Sequence, residues 1–333
     1  MVYSGTTGDN KFKVEEFNLP YNYSRQKVCE ICEAEKSGPM DYANFLQAAP
    51  WAAAPRDVVD VVQSIADQNN GIVSELVLGF EGWHNMNLFE DLLHDDLIGV
   101  RLHLIGGILK QLADDGLWGG CDIGIWTVRL DFQLQCAFNQ FCSWANEQNY
   151  SHSQARFSSL NLSMSVTTSW PVLKAKAKTA QMISRWLRMP AAALQRNEYE
   201  KVRFMTLTGF DDLYTIMEES KWPNWRLTVE QAARLEVARK EALLGYHYLA
   251  KEAISQGRFI YKLNPKHHKL DHLFRRSIRT RVSPTLFWTF VLESEMGVAS
   301  RLVRRLHGAS SLRRGVDRYL IYFWHRLCDN SDA

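Results

Sequence analysis

The sequence predicts a mainly α-helical fold with only a small amount of β-sheet. Two observations lead to this prediction: apolar residues recur at helical spacing through most of the chain after residue 56, and strand-like alternation is confined to short stretches. With 333 residues, of which 46% are hydrophobic, the chain can bury a large core. No run of 18 apolar residues occurs, so we expect a soluble intracellular protein without a membrane partner.

The beginning of the chain predicts little regular structure. Residues 2–9, VYSGTTGD, indicate a short strand or loop that ends in an acid. A segment rich in Pro and aromatic residues follows, and its breakers favour irregular backbone. The best further strand candidate is FSSLNLSMSV, residues 157–166.

Helices are predicted wherever an amphipathic segment lies between turn signals. Pro190 should stop the fourth helix, while Thr228 should cap the sixth and Gly257 should end it. Two more helices are expected after Pro284. The predicted ranges of the first six are 56–68, 87–116, 126–149, 170–189, 198–219 and 228–257.

Charge and composition divide the chain into three segments: 1–56, which contains the irregular stretch, 57–256, which is helical, and 257–333, which is basic. The last segment holds 15 Lys and Arg against 6 Asp and Glu, a net charge of +9, whereas the whole chain carries only +2. A basic segment of this kind suits a polyanion such as DNA. The alternative is a basic helix face that is simply solvated.

Two pairs of residues have the spacing of zinc ligands. His268 and His272 lie four apart, so on a helix both imidazoles project from one face, and His267 is an alternate ligand. Cys29 and Cys32 form a CxxC pair, and two Cys with two His complete a tetrahedral structural zinc site. The site would tie the irregular segment to a helix more than 230 residues away.

Two acids follow Pro284 in a segment of helical periodicity. Helical geometry places Glu295 close to the apolar stripe that begins at Leu292, and Glu293 on the other flank, so Glu295 is the better candidate to face inward. A carboxylate at the edge of a core needs a metal or a cationic partner. The cationic alternatives are Arg301, Arg304 and Arg305.

A DxxH pair lies in the most apolar of the predicted helices. Asp91 and His94 are three apart and therefore neighbours on one face. A polar pair in such a helix must be satisfied, either by each other or by a neighbouring backbone, and a catalytic role is the second alternative.

In order, the chain presents an acid after a short strand, CxxC, DxxH, "VLKAKAK", "PKHHKLDH" and an acid pair before "RLVRRLH". This order resembles transposases of the DDE type, which have a ribonuclease H-like core and a long helical insertion before the last catalytic acid. It looks most like the CACTA and related Kyakuja, Dileera and Zisupton groups, and like transposon-derived sequences of dinoflagellate type. The V(D)J recombinase catalytic subunit and its Transib relatives are similar in the same features.

The resemblance implies a role for each motif. It implies a mainly α fold in which a helical insertion domain, 57–256, joins an incomplete ribonuclease H-like core. The implied roles are Asp9 and Glu295 (or Glu293) as catalytic acids, Asp91 and His94 as the insertion motif, Lys174, Lys176, Arg301, Arg304 and Arg305 as DNA contacts, and Cys29, Cys32, His268 and His272 as a structural zinc site. Intact relatives are expected to use two Mg²⁺ or Mn²⁺ ions for DNA cleavage and strand transfer.

One feature departs from the family. No acid precedes Asp9, although the family places a first catalytic Asp on an earlier strand. We therefore expect a fragment that begins inside the core, that does not cleave DNA and that binds it non-specifically, in the nucleus if it is functional. The alternative function is a zinc-stapled helical interaction module without nucleic-acid chemistry.

Overall fold

The computed structural model describes residues 6–8, 10–79, 81–163, 170–220 and 225–289. Within these ranges the protein is mainly helical, as the sequence predicts. The two strands are β1 (Thr6–Gly8) and β2 (Leu88–Glu90), and the helices are α1 (Asn10–Phe17), α2 (Val58–Gln68), α3 (Glu75–Leu78), α4 (Arg101–Asp114), α5 (Trp126–Glu147), α6 (Ala177–Ala193), α7 (Glu198–Glu219), α8 (Val229–Ser255) and α9 (Pro265–Thr280). A π-helical segment, Leu93–Val100, leads into α4. No helix in the described ranges is both long and apolar enough to cross a membrane.

The two strands form a small parallel sheet. Thr6 lies opposite Leu88, and Gly8 lies opposite Glu90. Among the described residues this pair is the whole sheet, which agrees with the small sheet that was predicted. The strand predicted for 157–166 is wrong over its described part, 157–163, which is loop and turn.

Side-chain hydrogen bonds explain the missing strand. The Asn161 backbone N–H donates to Ser158 Oγ at 3.2 Å, and the Asn161 side-chain amide donates to the Arg156 carbonyl. Ser and Asn side chains that bond nearby backbone in this way compete with sheet formation.

The limits of α8 follow capping chemistry, whereas the end of α6 differs from the prediction. Thr228 forms a capping box with Gln231 at the start of α8, and Gly257 takes φ +68° just beyond its end, as predicted. Pro190, however, does not stop α6, which continues to Ala193. Pro190 stands in the last turn, where the loss of its N–H removes only one hydrogen bond near a helix end.

Helices α4, α6, α7 and α8 pack around a common core, and α9 lies against α8 and the π-helical segment. Glycine allows α7 and α8 to approach closely, since a Cβ atom on Gly209 would lie 2.6 Å from the Ala242 backbone nitrogen. This packing fixes α9, which carries the histidine pair, against the N-terminal part of the chain.

Candidate metal centre

The cysteine pair lies in a loop held in place by backbone hydrogen bonds. Val28 N–H donates to the Ala34 carbonyl at 3.1 Å, and Arg56 Nε donates to the Cys29 carbonyl at 2.9 Å. Cys29 and Cys32 are both buried, so the loop presents two thiols to the protein interior instead of to solvent.

The histidine pair is presented by the first two turns of α9. Asn264 caps this helix and Pro265 occupies its first turn, where a missing N–H costs nothing. Residues 265–280 are therefore helical, and the helix places His268 and His272 on one face, as their four-residue spacing predicted.

The four predicted ligands converge. Their candidate ligand atoms all lie within 4.8 Å of one another. Cys32 Sγ is 3.3 Å from His268 Nε2 and 3.2 Å from His272 Nε2. A tetrahedral zinc ion with ordinary bond lengths requires ligand-to-ligand distances of roughly 3.3–3.8 Å. The cluster can therefore hold a metal ion, and its donors are compatible with zinc.

The thiols sit in a positive environment. Burial by itself raises the pKa of Cys29, but the hydrogen bond from Cys32 and the charge of Lys269 lower it by more, so the pKa lies well below its ordinary value. Burial and the neighbouring Cys29 raise the pKa of Cys32. A divalent cation bound between them would stabilise both thiolates together.

Trp51 forms one wall of the centre. Its ring centroid is 4.4 Å from that of His268 and 5.1 Å from that of His272, and the residue is buried. The Trp51 indole N–H donates to the Asn44 carbonyl at 2.9 Å, which fixes the ring. The wall restricts the rotation of both imidazoles.

Next to the cysteines lies a buried cluster of two lysines and two glutamates that the sequence did not predict. Lys13 Nζ is 3.2 Å from Glu30 Oε1 and also contacts Glu90, and Lys269 Nζ is 3.0 Å from Glu90 Oε1 and also contacts Glu30. All four side chains are at most 4% exposed. The cluster joins α1, the cysteine loop, β2 and α9. We name it the four-charge cluster.

The DxxH pair opens the π-helical segment. Asp91 Oδ1 accepts from the Leu93 N–H at 3.0 Å, and Asp91 Oδ2 contacts His94 Nδ1. Lys266 of α9 donates to the His94 carbonyl at 2.5 Å, and this carbonyl lies beside Gly99, whose backbone angles are not helical. The pair therefore connects the start of this segment to the helix that carries the histidines.

His267, the alternate ligand, points elsewhere. Its Nδ1 is 3.0 Å from the Asn264 carbonyl, and its ring centroid is 4.3 Å from that of Tyr246. Burial lowers the pKa of His267 to about 3, so the ring is neutral. In this structure the residue caps α9 and packs in the core.

The remaining predicted residues fall into two groups. Lys174 and Lys176 are exposed just before α6, where a polyanion could reach them. Asp9, Glu293, Glu295, Arg301, Arg304 and Arg305 lie outside the described residues. The predicted catalytic acids therefore stay predictions.

A basic groove runs beside the metal centre. It has a volume of about 600 Å³ and is bordered by Cys32, His272, Arg275, Arg276 and Arg279. Arg276 stacks over Phe89 at 4.1 Å, and burial and Arg279 lower its pKa. Glu236 and Glu90 also border this groove. The three arginines follow His272 on α9, so the same helix that presents the histidines also places the arginines along the groove.

The residues that sequence reasoning missed are mainly buried charges. Lys13 and Phe17 are four apart and share the buried face of α1, and this spacing is the one feature of the sequence that could have indicated that Lys13 is buried.

Comparison of the chain with protein-family models, with curated proteins and with solved structures finds no match in any of the three. The class that the geometry defines is a mainly helical protein with a Cys₂His₂ cluster able to hold a metal ion.

Proposed function

We propose that the chain is a zinc-stapled protein of the DDE-transposase type that binds DNA in the nucleus without cleaving it. The observation that supports it best is the convergence of the CxxC pair and the HxxxH pair across 236 residues, as the family resemblance implies. The proposal concerns DNA binding and metal binding, and strand cleavage is not part of it.

Zinc is the metal that the ligand set favours. Two thiolates and two imidazoles in a buried, four-ligand arrangement are typical of structural zinc, and four protein ligands leave no open position for catalysis. Its role would be to hold α9 against the cysteine loop. Zinc would then orient Arg275, Arg276 and Arg279, which follow the second histidine ligand within two turns.

The groove beside this centre is the proposed DNA-contacting surface. Arg279 is exposed and makes no ion pair within the described residues, and Arg276 bonds the Met86 backbone carbonyl instead of a carboxylate. Guanidinium groups that lack acid partners suit phosphate oxygens. Lys174 and Lys176 would add further contacts.

The first experiment measures metal. Purified protein should contain about one zinc per chain, and His272→Gln should remove it, because three ligands bind zinc far more weakly than four. A native protein that contains no zinc and takes up none when zinc is supplied would overturn the zinc part of the proposal.

The second experiment measures DNA affinity as a function of salt. Affinity for a random-sequence duplex should fall linearly on a log–log plot of salt concentration. The double variant Arg276→Gln/Arg279→Gln should weaken binding and reduce the slope by about one to two, whereas the exposed Arg25→Gln should leave both unchanged. Binding that ignores salt, or a double variant that behaves as wild type, would contradict this surface.

The second candidate is a zinc-stapled interaction module that binds acidic protein surfaces. The closed four-ligand cluster favours it as well, because a structural metal needs no nucleic acid. This candidate replaces the first if the protein holds one zinc and does not bind duplex DNA, but binds an acidic peptide that the double variant Arg276→Gln/Arg279→Gln binds more weakly.

A further inference from the structure

A second cavity lies between the end of α4, the start of α7 and the residues that follow α8. Its volume is about 470 Å³. Three arginines border it, namely Arg196, Arg203 and Arg258, together with the acids Asp115, Glu198 and Glu200. Arg196 is exposed, so the cavity opens to solvent there.

Arg203 is the unusual member. Its side chain is fully buried, yet none of its three guanidinium nitrogens has a hydrogen-bond partner among the described residues. The nearest carboxylate oxygen, Asp115 Oδ2, is 3.8 Å from its NH1 nitrogen, which is beyond hydrogen-bond distance. A guanidinium has five N–H donors, and burying them without acceptors is costly.

The other two arginines that are fully buried in the described part of the chain have acid partners. Arg101 donates to both carboxylate oxygens of Asp96, at 3.0 and 2.6 Å. Arg239 contacts Asp271 and donates to Glu236 at 2.9 and 3.0 Å. Arg203 therefore differs from both of them, because it borders a cavity and no acid lies within hydrogen-bond distance of its guanidinium group.

The remaining charges leave room for an anion. The Nε atom of Arg258 is also buried without a partner. Arg196 and Glu200 bond each other, at 3.1 and 2.5 Å among other contacts, and so neutralise one another. Asp115 is 34% exposed, and burial raises its pKa. The first turn of α7 borders the cavity, where its dipole adds positive potential and the exposed Glu198 in the same turn offsets part of it.

We propose that this cavity binds the phosphate group of a phosphate monoester, with Arg203 and Arg258 as the direct contacts. The donor count favours phosphate over carboxylate, because a phosphate offers at least three acceptor oxygens to the unbonded N–H groups. The volume also exceeds what a bare ion needs and is of the size that takes a small organic ligand. The proposal is independent of the metal centre and of DNA binding in the groove.

The phosphate can belong to a small molecule or to the end of a nucleic-acid strand. Calorimetry on the full chain distinguishes them with five probes: inorganic phosphate, adenosine, adenosine 5′-monophosphate, and a short oligonucleotide with and without a 5′-phosphate. Adenosine monophosphate should bind more tightly than adenosine. A further gain with the 5′-phosphorylated strand over its unphosphorylated form would assign the source to nucleic acid, and the absence of that gain would assign it to a small molecule.

Two variants test the contacts. Arg203→Lys keeps the charge but loses the fork of donors, and it should weaken adenosine monophosphate binding about ten- to a hundred-fold. Asp115→Asn leaves Arg203 in place and removes a competing negative charge, so it should tighten binding several-fold, roughly as one charge contact is worth. Arg234→Gln alters an exposed ion pair with Glu219 and should change nothing.

The opposing explanation is that Arg203 only balances Asp115. In that case Asp115→Asn would lower stability without improving binding, and no phosphate probe would bind at millimolar concentration. Either of these results, or phosphate binding that is unchanged in Arg203→Lys, overturns the proposal. If Arg203→Lys does not fold, Arg258→Gln and Asp115→Asn still decide it, since they should act in opposite directions.

Discussion

The four-charge cluster makes a sharp prediction about stability. Lys13→Met removes one of its two lysines and keeps a side chain of similar length and apolar character. Two buried carboxylates, Glu30 and Glu90, then share only Lys269. The cluster changes from neutral to one excess negative charge in a place that solvent does not reach.

The magnitude follows from the geometry. At the observed 3.2 Å between Lys13 Nζ and Glu30 Oε1, one charge pair is worth about 5 kcal/mol at an effective dielectric constant of about 20. Breaking a buried pair by removing one partner costs about 3–5 kcal/mol in measured cases. Burial alone lowers the pKa of Lys13, but Glu90 and Glu30 raise it above its ordinary value. Lys13 is therefore charged in the folded protein, and Lys13→Met removes a positive charge. We expect a loss of about 4 kcal/mol.

The assay is urea unfolding followed by tryptophan fluorescence, with zinc content measured in parallel. The double variant Lys13→Met/Glu90→Gln restores a neutral cluster and should recover at least about 2 kcal/mol of the loss. Lys11→Met, two residues earlier on α1, alters an ion pair with Glu15 that is 78% and 61% exposed and should change stability by less than about 0.5 kcal/mol. A loss below about 1 kcal/mol for Lys13→Met, or a double variant as unstable as the sum of the singles, would refute the reasoning.

Three further predictions concern packing, pH and ligand identity. Gly209→Ala should cost about 1–3 kcal/mol in thermal unfolding, because the new methyl meets backbone of α8, whereas Gly124→Ala, which has nothing within 4 Å, should cost far less. Burial and Glu90 raise the pKa of Asp95 to about 7, so the folded state holds a proton that the unfolded state releases near pH 4, and this residue destabilises the fold as pH rises. Asp95→Asn should therefore be stabilising, by about 2 kcal/mol more at pH 8 than at pH 5.5 in urea unfolding, and an advantage independent of pH would contradict this. His267→Gln should keep bound zinc while His272→Gln should lose it, as metal analysis of the two purified variants would establish; equal zinc content in both would contradict the assigned ligand set.

Local signals predicted where the helices occur better than where they begin: residues 170–176, predicted as helix, are loop, and 88–100 contain β2 and the π-helical segment. Capping residues and hydrophobic spacing gave α7 at its observed limits and α8 between its cap and its terminal glycine. The same local logic failed at Pro190, because continued burial of Ala191 favours one more turn than the proline alone would allow. It also failed at residues 157–163, where side chains bond the backbone.

The metal cluster was predictable because ligand spacing is a local property even when the two halves are distant. Nothing local indicates a buried charge, however, since Lys13 and Arg203 become buried only when other elements cover them. The partner of a buried lysine, such as Glu90, lies on a different element and at no fixed spacing. For this reason the four-charge cluster and the arginine cavity emerge only from the folded chain.

The separation of 236 positions between Cys32 and His268 also sets an order of events during synthesis. At usual rates of translation, the thiol pair leaves the ribosome roughly ten to fifty seconds before the imidazoles that complete its site. During that interval Cys29 and Cys32 are a bare dithiol, exposed to oxidants and to competing metals. The cysteine loop therefore cannot form the four-ligand cluster during its own synthesis. Both thiols must stay reduced until α9 has been synthesised and can supply the two histidines.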